Sequence, residues 1–255
     1  MAASLADIAD AHTEKPTLSG RRVAITGGTT GIGRAAAVLL ASEGAKVFVC
    51  GRDENHLADA LARVREVGEG DGMSVDLSRP ADVDTFFLAA EDYLGGIDVA
   101  IINAALPAAR VDETAKADMF EQIGTDFTAY LLSAKAAMER MGPGSDLVFV
   151  GSMSAVSREG GSSIYVAAKR GIEGLAVTLR KELAEKDIKV GLIEPGFTGA
   201  DFQYPEFPPE KQRELIHQDK MLRAEDIAVS IHFMLSQPRR AAVSLIRTEP
   251  RLDHS

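Results

Sequence analysis

Thr26-Gly27-Gly28-Thr29-Thr30-Gly31-Ile32-Gly33 is the most telling run of residues in this chain. A short apolar run, Arg22-Val23-Ala24-Ile25, leads into it, and good helix formers from Arg34 to Ser42 lead out. The pattern reads as a strand, a tight glycine turn and a helix. Glycines there permit positive φ and let the backbone approach a ligand closely. Unpaired N–H groups at the helix start, with the helix dipole behind them, favour a phosphate. The spacing is G-x-x-x-G-x-G rather than G-x-G-x-x-G, yet the same physics serves it.

Outward from that turn, short apolar runs alternate with longer helical patterns. Strands are expected at 22–26, 46–50, 73–75, 99–103, 147–151, 189–193 and 243–247, and helices at 31–43, 54–67, 80–94, 119–141, 163–186 and 224–236. The strands are rich in Val and Ile and nearly continuous in apolar character, as in a parallel sheet covered on both faces. Asp53 and Ser78 are candidate helix caps, and Pro80 suits a first helical turn. Strict strand–helix alternation implies right-handed crossovers. The expected fold is therefore α/β: a Rossmann-like, doubly wound, seven-stranded parallel sheet in a single domain. Residues 1–17 read as a flexible arm and 18–255 as the domain. Two stretches break the rhythm, 106–118 and 196–222. Both follow strand ends, where ligands sit in such sheets, and the second carries Phe197, Phe202, Tyr204 and Phe207 and reads as a substrate lid.

Composition excludes several classes. A net charge of -10 over 255 residues argues against a nucleic-acid or anionic-membrane binder. The single cysteine, Cys50, cannot form an internal disulfide and reads as a buried structural thiol in a reducing compartment. There is no basic leader and no apolar run long enough to span a bilayer, so the expected location is cytoplasmic. The five histidines show no metal-ligand spacing, and no metal is expected.

Several further motifs follow in order. Asp76-Leu77 comes after the third strand and Asn103-Ala104-Ala105 after the fourth. Ser152 stands thirteen residues before Tyr165, Tyr165 to Lys169 reads Y-x-x-x-K, and Pro195-Gly196 closes the sixth strand. Together with the turn at Thr26 to Gly33, these residues resemble the short-chain dehydrogenase/reductase family from about Leu18 onward. The resemblance implies cofactor contacts from Gly27, Thr29, Thr30, Gly31, Ile32 and Gly33, from Asp76 and Leu77 at the adenine, and from Asn103, Ala104, Pro195, Gly196 and Thr198. It also implies a homodimer or homotetramer and a small-molecule carbonyl or alcohol substrate.

Tyr165 and Lys169 lie four residues apart, on one face of a helix. A phenol with its ordinary pKa near 10 is a poor base at neutral pH, and a neighbouring ammonium stabilises the phenolate. Tyr165 then trades a proton with a carbonyl or alcohol oxygen, which Ser152 also hydrogen-bonds. The resemblance gives Lys169 a further task, holding the nicotinamide ribose. Asp126 stands where relatives carry an asparagine that supports a proton-relay water. An ionised aspartate accepts hydrogen bonds but donates none, and its charge would oppose that of Lys169. An ordinary solvated helix aspartate is the other reading of Asp126.

At the end of the second strand, where NAD enzymes often place an acidic residue, Gly51 is followed by Arg52. An arginine binds a 2′-phosphate bidentately, so NADP(H) is expected over NAD(H). The functional expectation is an NADP(H)-dependent oxidoreductase interconverting a carbonyl and an alcohol, with Ser152, Tyr165, Lys169 and Asp126 at its centre. The alternative is a relative that kept the fold and binds the cofactor without chemistry. It is favoured by Asp126, by Ala105 in place of a glycine, and by a C-terminal strand without the usual glycine-rich ending.

Overall fold

The computed structural model describes residues 16–158, 160–199 and 207–252. Seven strands form one parallel sheet in the order β3-β2-β1-β4-β5-β6-β7. They are β1 (Arg22–Ile25), β2 (Lys46–Gly51), β3 (Glu69–Ser74), β4 (Ile97–Ile102), β5 (Met141–Val150), β6 (Lys189–Pro195) and β7 (Leu245–Thr248). The order reverses between β1 and β4, which opens a crevice at the carboxyl ends of those two strands.

Helices cover both faces, and the side chains of each strand alternate between them. On one face lie α1 (Gly31–Ser42), α2 (Glu54–Val67) and α9 (Ala224–Leu235). They pack Ala37, Leu40, Val64 and Ile231 onto Val23, Ile25, Val49 and Ile193. On the other lie α3 (Pro80–Leu94), α5 (Ala129–Met138) and α7 (Ser163–Glu182). They pack Phe86, Phe87, Ala134 and Ile172 onto Ala24, Ile102, Phe149 and Leu192. The remaining helices are α4 (Lys116–Ile123), the short α6 (Ser154–Ser157) and α8 (Pro209–His217).

The expected helix over 119–141 is not continuous. It divides into α4, a π-helical turn at Gly124–Thr128, and α5, which stops at Met138. Met141 belongs instead to β5, where it pairs with Ile97. The helix expected over 163–186 ends at Glu182 and continues as a 3-10 turn, Ala184–Lys186. β3 begins at Glu69, four residues before the expected strand, because its Glu-Gly-Asp-Gly start has no apolar signature. β3 is an edge strand, and space explains its glycines. A Cβ on Gly70 would meet Val47 and Val64 side-chain carbons at 2.6 Å, so β2 and α2 already fill the volume. Asp53 caps α2, accepting from the N–H groups of Asn55 and His56. Ser78 does not cap α3. Arg79 holds that position, and the Ser78 hydroxyl donates to Asp76. Pro80 opens the helix as expected.

Cys50 is fully buried, and burial pushes its thiol up to about 12, which fits a structural role. Of the expected arm, residues 1–15 lie outside the described residues, and Leu18 is already core. Of the expected lid, 200–206, with Phe202 and Tyr204, also lies outside them. The described part contains α8 and an edge-to-face pair of Phe197 and Phe207 at 5.3 Å. Among the described residues, no helix is long and apolar enough to cross a membrane.

Candidate active site

The glycine turn is held from below by side chains that the motif does not advertise. The Thr26 hydroxyl accepts from the N–H groups of Asn103 at 2.9 Å and Ala104 at 3.2 Å. The Asn103 amide donates back to the carbonyls of Thr26 and Gly27. β1 and β4, adjacent in the sheet, are thereby tied at their ends. Gly27 has φ +64°, and a Cβ there would stand 2.7 Å from Ala104 Cα. A Cβ on Gly33 would fall 2.1 Å from the Gly27 carbonyl oxygen. The turn and the first turn of α1 thus touch through bare backbone. The first N–H groups of α1 have no acceptor within the helix, which leaves them to a ligand.

A cleft of about 380 Å3 opens above this turn. Its walls include Gly27, Thr29, Thr30, Gly31, Ile32, Arg52, Asp76, Leu77, Asn103 and Ala104, ten of the residues expected to contact a cofactor. The side chain of Asn103 is spent on the turn. Gly33 lies beneath the cleft, and Ser152, Tyr165, Lys169, Pro195, Gly196 and Thr198 lie off its walls. Arg52 reaches across the mouth to Glu121 of α4, at 2.8 Å. Asp76 accepts from the N–H and hydroxyl of Ser78. After β6, the Gly196 N–H joins Thr248 and the Thr198 hydroxyl turns back to the Gly196 carbonyl. α8 stands away from this cleft and walls a second one, of about 690 Å3, with α1, α2 and α9.

The chemistry-bearing side chains gather around the end of β5, under α5 and α7. Ser152 is buried between β5 and α6, and its oxygen accepts from the Ser154 N–H at 3.1 Å. That bond leaves the Ser152 proton available to donate. Tyr165 sits half-buried in the first turn of α7. Lys169, one turn on, is only 2% exposed. Its ammonium lies 5.5 Å from the centre of the Tyr165 ring and 4.6 Å from that of Tyr130. It donates to the Tyr130 hydroxyl at 2.9 Å and to the Val150 carbonyl at 3.0 Å. Burial pulls the ammonium down to about 8, against the opposing pull of the Asp126 charge. Burial likewise pushes the Tyr130 phenol well above its ordinary value, with Tyr165 and Asp126 adding to the rise.

Asp126 is not a solvated helix residue: its exposure is zero. It lies in the π-helical turn, where one oxygen accepts from the Leu106 N–H at 2.7 Å and the other from Gln122 at 3.2 Å. Burial raises its carboxyl above the usual carboxylate range, opposed by the charge of Lys169 and by these two donors. Gln122 also donates to the Pro107 carbonyl, so the pair pins the loop after β4. Sequence reading missed three members of this site: Thr26 as a tie, Gln122 and Tyr130. Gln122 and Tyr130 carried a usable signal, since each stands four residues from Asp126 along the helical segment. Among the described residues, no group of three His, Cys, Asp or Glu side chains is placed to hold a metal.

The sequence matches the short chain dehydrogenase family over residues 21–211. The chain belongs to the short-chain dehydrogenase family. Relatives agree with this membership. The chain is 31% identical to the human 3-oxoacyl-[acyl-carrier-protein] reductase over 220 residues, 84% of this chain and 91% of that protein. It is 30% identical to carbonyl reductase family member 4 of Xenopus laevis over 218 residues, with the same coverage. Its fold matches that of a short chain dehydrogenase from Burkholderia cenocepacia, solved with NADP. The TM-score is 0.82 over 92% of this chain and 98% of that one, at 23% identity. This short-chain dehydrogenase is therefore an oxidoreductase by family and Rossmann-like in fold.

Proposed function

We propose that this short-chain dehydrogenase interconverts a carbonyl and an alcohol with NADP(H) as cofactor. The carrying observation is the Lys169 ammonium, buried one helical turn from Tyr165 and 5.5 Å from its ring, on a sheet whose glycine turn opens into a cleft. The residues present fit a dinucleotide. Gly27 to Ile32 offer backbone N–H groups and a helix start to the pyrophosphate, and Asp76 and Leu77 flank the adenine end. Gly51 supports the phosphorylated form of the cofactor. A Cβ there would fall 2.3 Å from the Thr29 hydroxyl, so no acidic side chain fits without moving Thr29, while Arg52 stands beside it. A carboxylate would repel a 2′-phosphate and an arginine attracts it.

When bound, the nicotinamide supplies or takes up the hydride. In the reducing direction, Tyr165 gives its phenol proton to the substrate oxygen, which becomes the hydroxyl of the alcohol. Ser152 donates a hydrogen bond to the same oxygen and fixes its position. Lys169 places positive charge beside the phenolate that remains and so lowers the cost of giving up the proton. The names of the human and Xenopus relatives, both reductases of carbonyl groups, favour the same direction.

NADPH oxidation is to be followed across aldehydes, ketones and 3-oxoacyl thioesters, with NADH as the cofactor control. Turnover with NADPH is expected to fall by about 10³-fold in Tyr165→Phe while NADPH binding by fluorescence is kept. Tight NADPH binding without turnover of any carbonyl would instead favour the non-catalytic reading, which the buried Asp126 supports.

A further inference from the structure

Lysine is almost never fully buried unless it is paired with an opposite charge. Lys169 breaks that expectation. Among the described residues, no carboxylate lies within ion-pair distance of its ammonium. Its near contacts are neutral: the Tyr130 hydroxyl at 2.9 Å, the Val150 carbonyl at 3.0 Å and the faces of two tyrosine rings. Tyr130 is itself fully buried, stacked on Phe149 with ring centres 6.3 Å apart, and its own hydroxyl donates to the Val150 carbonyl at 3.0 Å. Tyr130, Lys169 and Val150 therefore form a closed triangle of hydrogen bonds among three buried residues. The titratable groups that face Lys169 are Tyr130 from α5, Tyr165 on its own helix and Asp126 from the π-helical turn. β5 contributes the Val150 carbonyl.

We propose that Tyr130 is a positioning residue for Lys169: a second phenol stands in for solvent or a counter-ion and holds the buried ammonium beside Tyr165. The chemistry of the phenol suits the task. Its oxygen accepts from the ammonium, and its proton, already directed at the carbonyl of Val150, keeps the oxygen's lone pairs turned to the lysine. Once Lys169 loses one proton, the amine still has two N–H groups, one for the Tyr130 oxygen and one for the Val150 carbonyl, so the triangle survives both states. The phenol itself stays neutral, because burial raises it well above its ordinary value. It therefore adds no charge that would compete with Tyr165.

The activity part of this inference rests on the carbonyl-reducing function proposed above; the hydrogen-bond triangle does not. The variant is Tyr130→Phe, which removes one oxygen and keeps the ring. Two measurements are made on it, the pH profile of kcat and KM with NADPH, and the melting temperature of the cofactor-free protein from pH 6.5 to 10. Loss of an acceptor from a charged donor destabilises the ammonium. The alkaline limb of kcat is expected to move about one pH unit lower, with kcat down about twofold at pH 7 and nearly tenfold by pH 9, and KM little changed. In the cofactor-free protein, the rise in melting temperature that follows loss of the Lys169 proton is expected to begin about one pH unit lower as well.

Profiles and melting curves superimposable on those of the parent would overturn the inference, even at reduced activity, because packing alone would then explain Tyr130. If the parent reduces no carbonyl, the proposed function fails, and the melting curves still decide on Tyr130. Should Tyr130→Phe not accumulate as folded protein, it is combined with Lys169→Met. Recovery of folded protein in the pair would show that the buried ammonium is what the phenol holds. Failure of the pair would place Tyr130 in the core alone and overturn the inference.

Discussion

The two ends of this site are built on opposite principles. The cofactor end is made of backbone and absence: glycines without side chains, bare N–H groups, and a threonine and an asparagine that tie β1 to β4. The chemical end is made of presence, with a lysine, an aspartate and Tyr130 buried beside the half-buried Tyr165. At the first, a small added group is a steric error. At the second, the protein accepts an electrostatic cost that no structural purpose requires. If the proposed function holds, the difference is that bare backbone N–H groups suit a phosphate, whereas a phenol is tuned by keeping an ionisable neighbour where it is not comfortable.

Gly33→Ala should break the cofactor end most severely. Its Cβ would fall 2.1 Å from the Gly27 carbonyl oxygen, a backbone atom that cannot swing aside. The expected loss of stability is about 3 kcal/mol or more. Denaturant unfolding would measure it, and NADPH binding should be lost together with stability.

Lys169→Met should do the reverse at the other end. The ammonium holds its proton only to about 8 in the folded protein, against 10.5 for an ordinary lysine. Below pH 8 both folded and unfolded chains carry the proton, and the full cost of burying it is present. Between pH 8 and 10.5 the folded state has released its proton while the unfolded state keeps it, so stability rises with pH across that window. Methionine removes the cost. The cofactor-free variant should be more stable at pH 7 by about 2 kcal/mol, a discounted share of the shift, and its stability should be flatter between pH 8 and 10. Melting or urea curves that show the variant less stable at pH 7 would mean that the lysine supports the fold.

Arg52 and Glu121, at the mouth of the cleft, should give the smallest effect. The pair is half-exposed, so its own strength is modest. If Arg52 receives a 2′-phosphate, Arg52→Ala should weaken NADPH binding about tenfold and leave NADH unchanged. Glu121→Gln, which frees the arginine, should tighten NADPH by about two- to fivefold at low salt. Titrations in which both cofactors respond alike to Arg52→Ala would remove the preference for NADP(H).

What was legible in the sequence follows the same division. The turn at Thr26 to Gly33 and the motifs at Asp76, Asn103 and Tyr165 declare their order and residue type, and the seven strands announce themselves by apolar runs. Reading faltered where tertiary packing supplied the reason. The start of β3 looks like a loop because its glycines make room for Val47 and Val64. The helix expected over 119–141 breaks at a π-helical turn that no periodicity announces. It is this turn that carries Asp126, inward and fully buried, between Leu106 and Gln122.

The family, the parallel sheet and the residue types of the motifs are written in the chain alone, because glycine spacing and apolar runs are local properties. The state of those residues comes from packing. Whether Asp126 faces water, and whether the ammonium of Lys169 meets solvent, a carboxylate or the phenol of Tyr130, depends on which segments pack over β5. Burial and hydrogen-bond partners set an ionisable group's behaviour, and both come from chain segments distant in sequence.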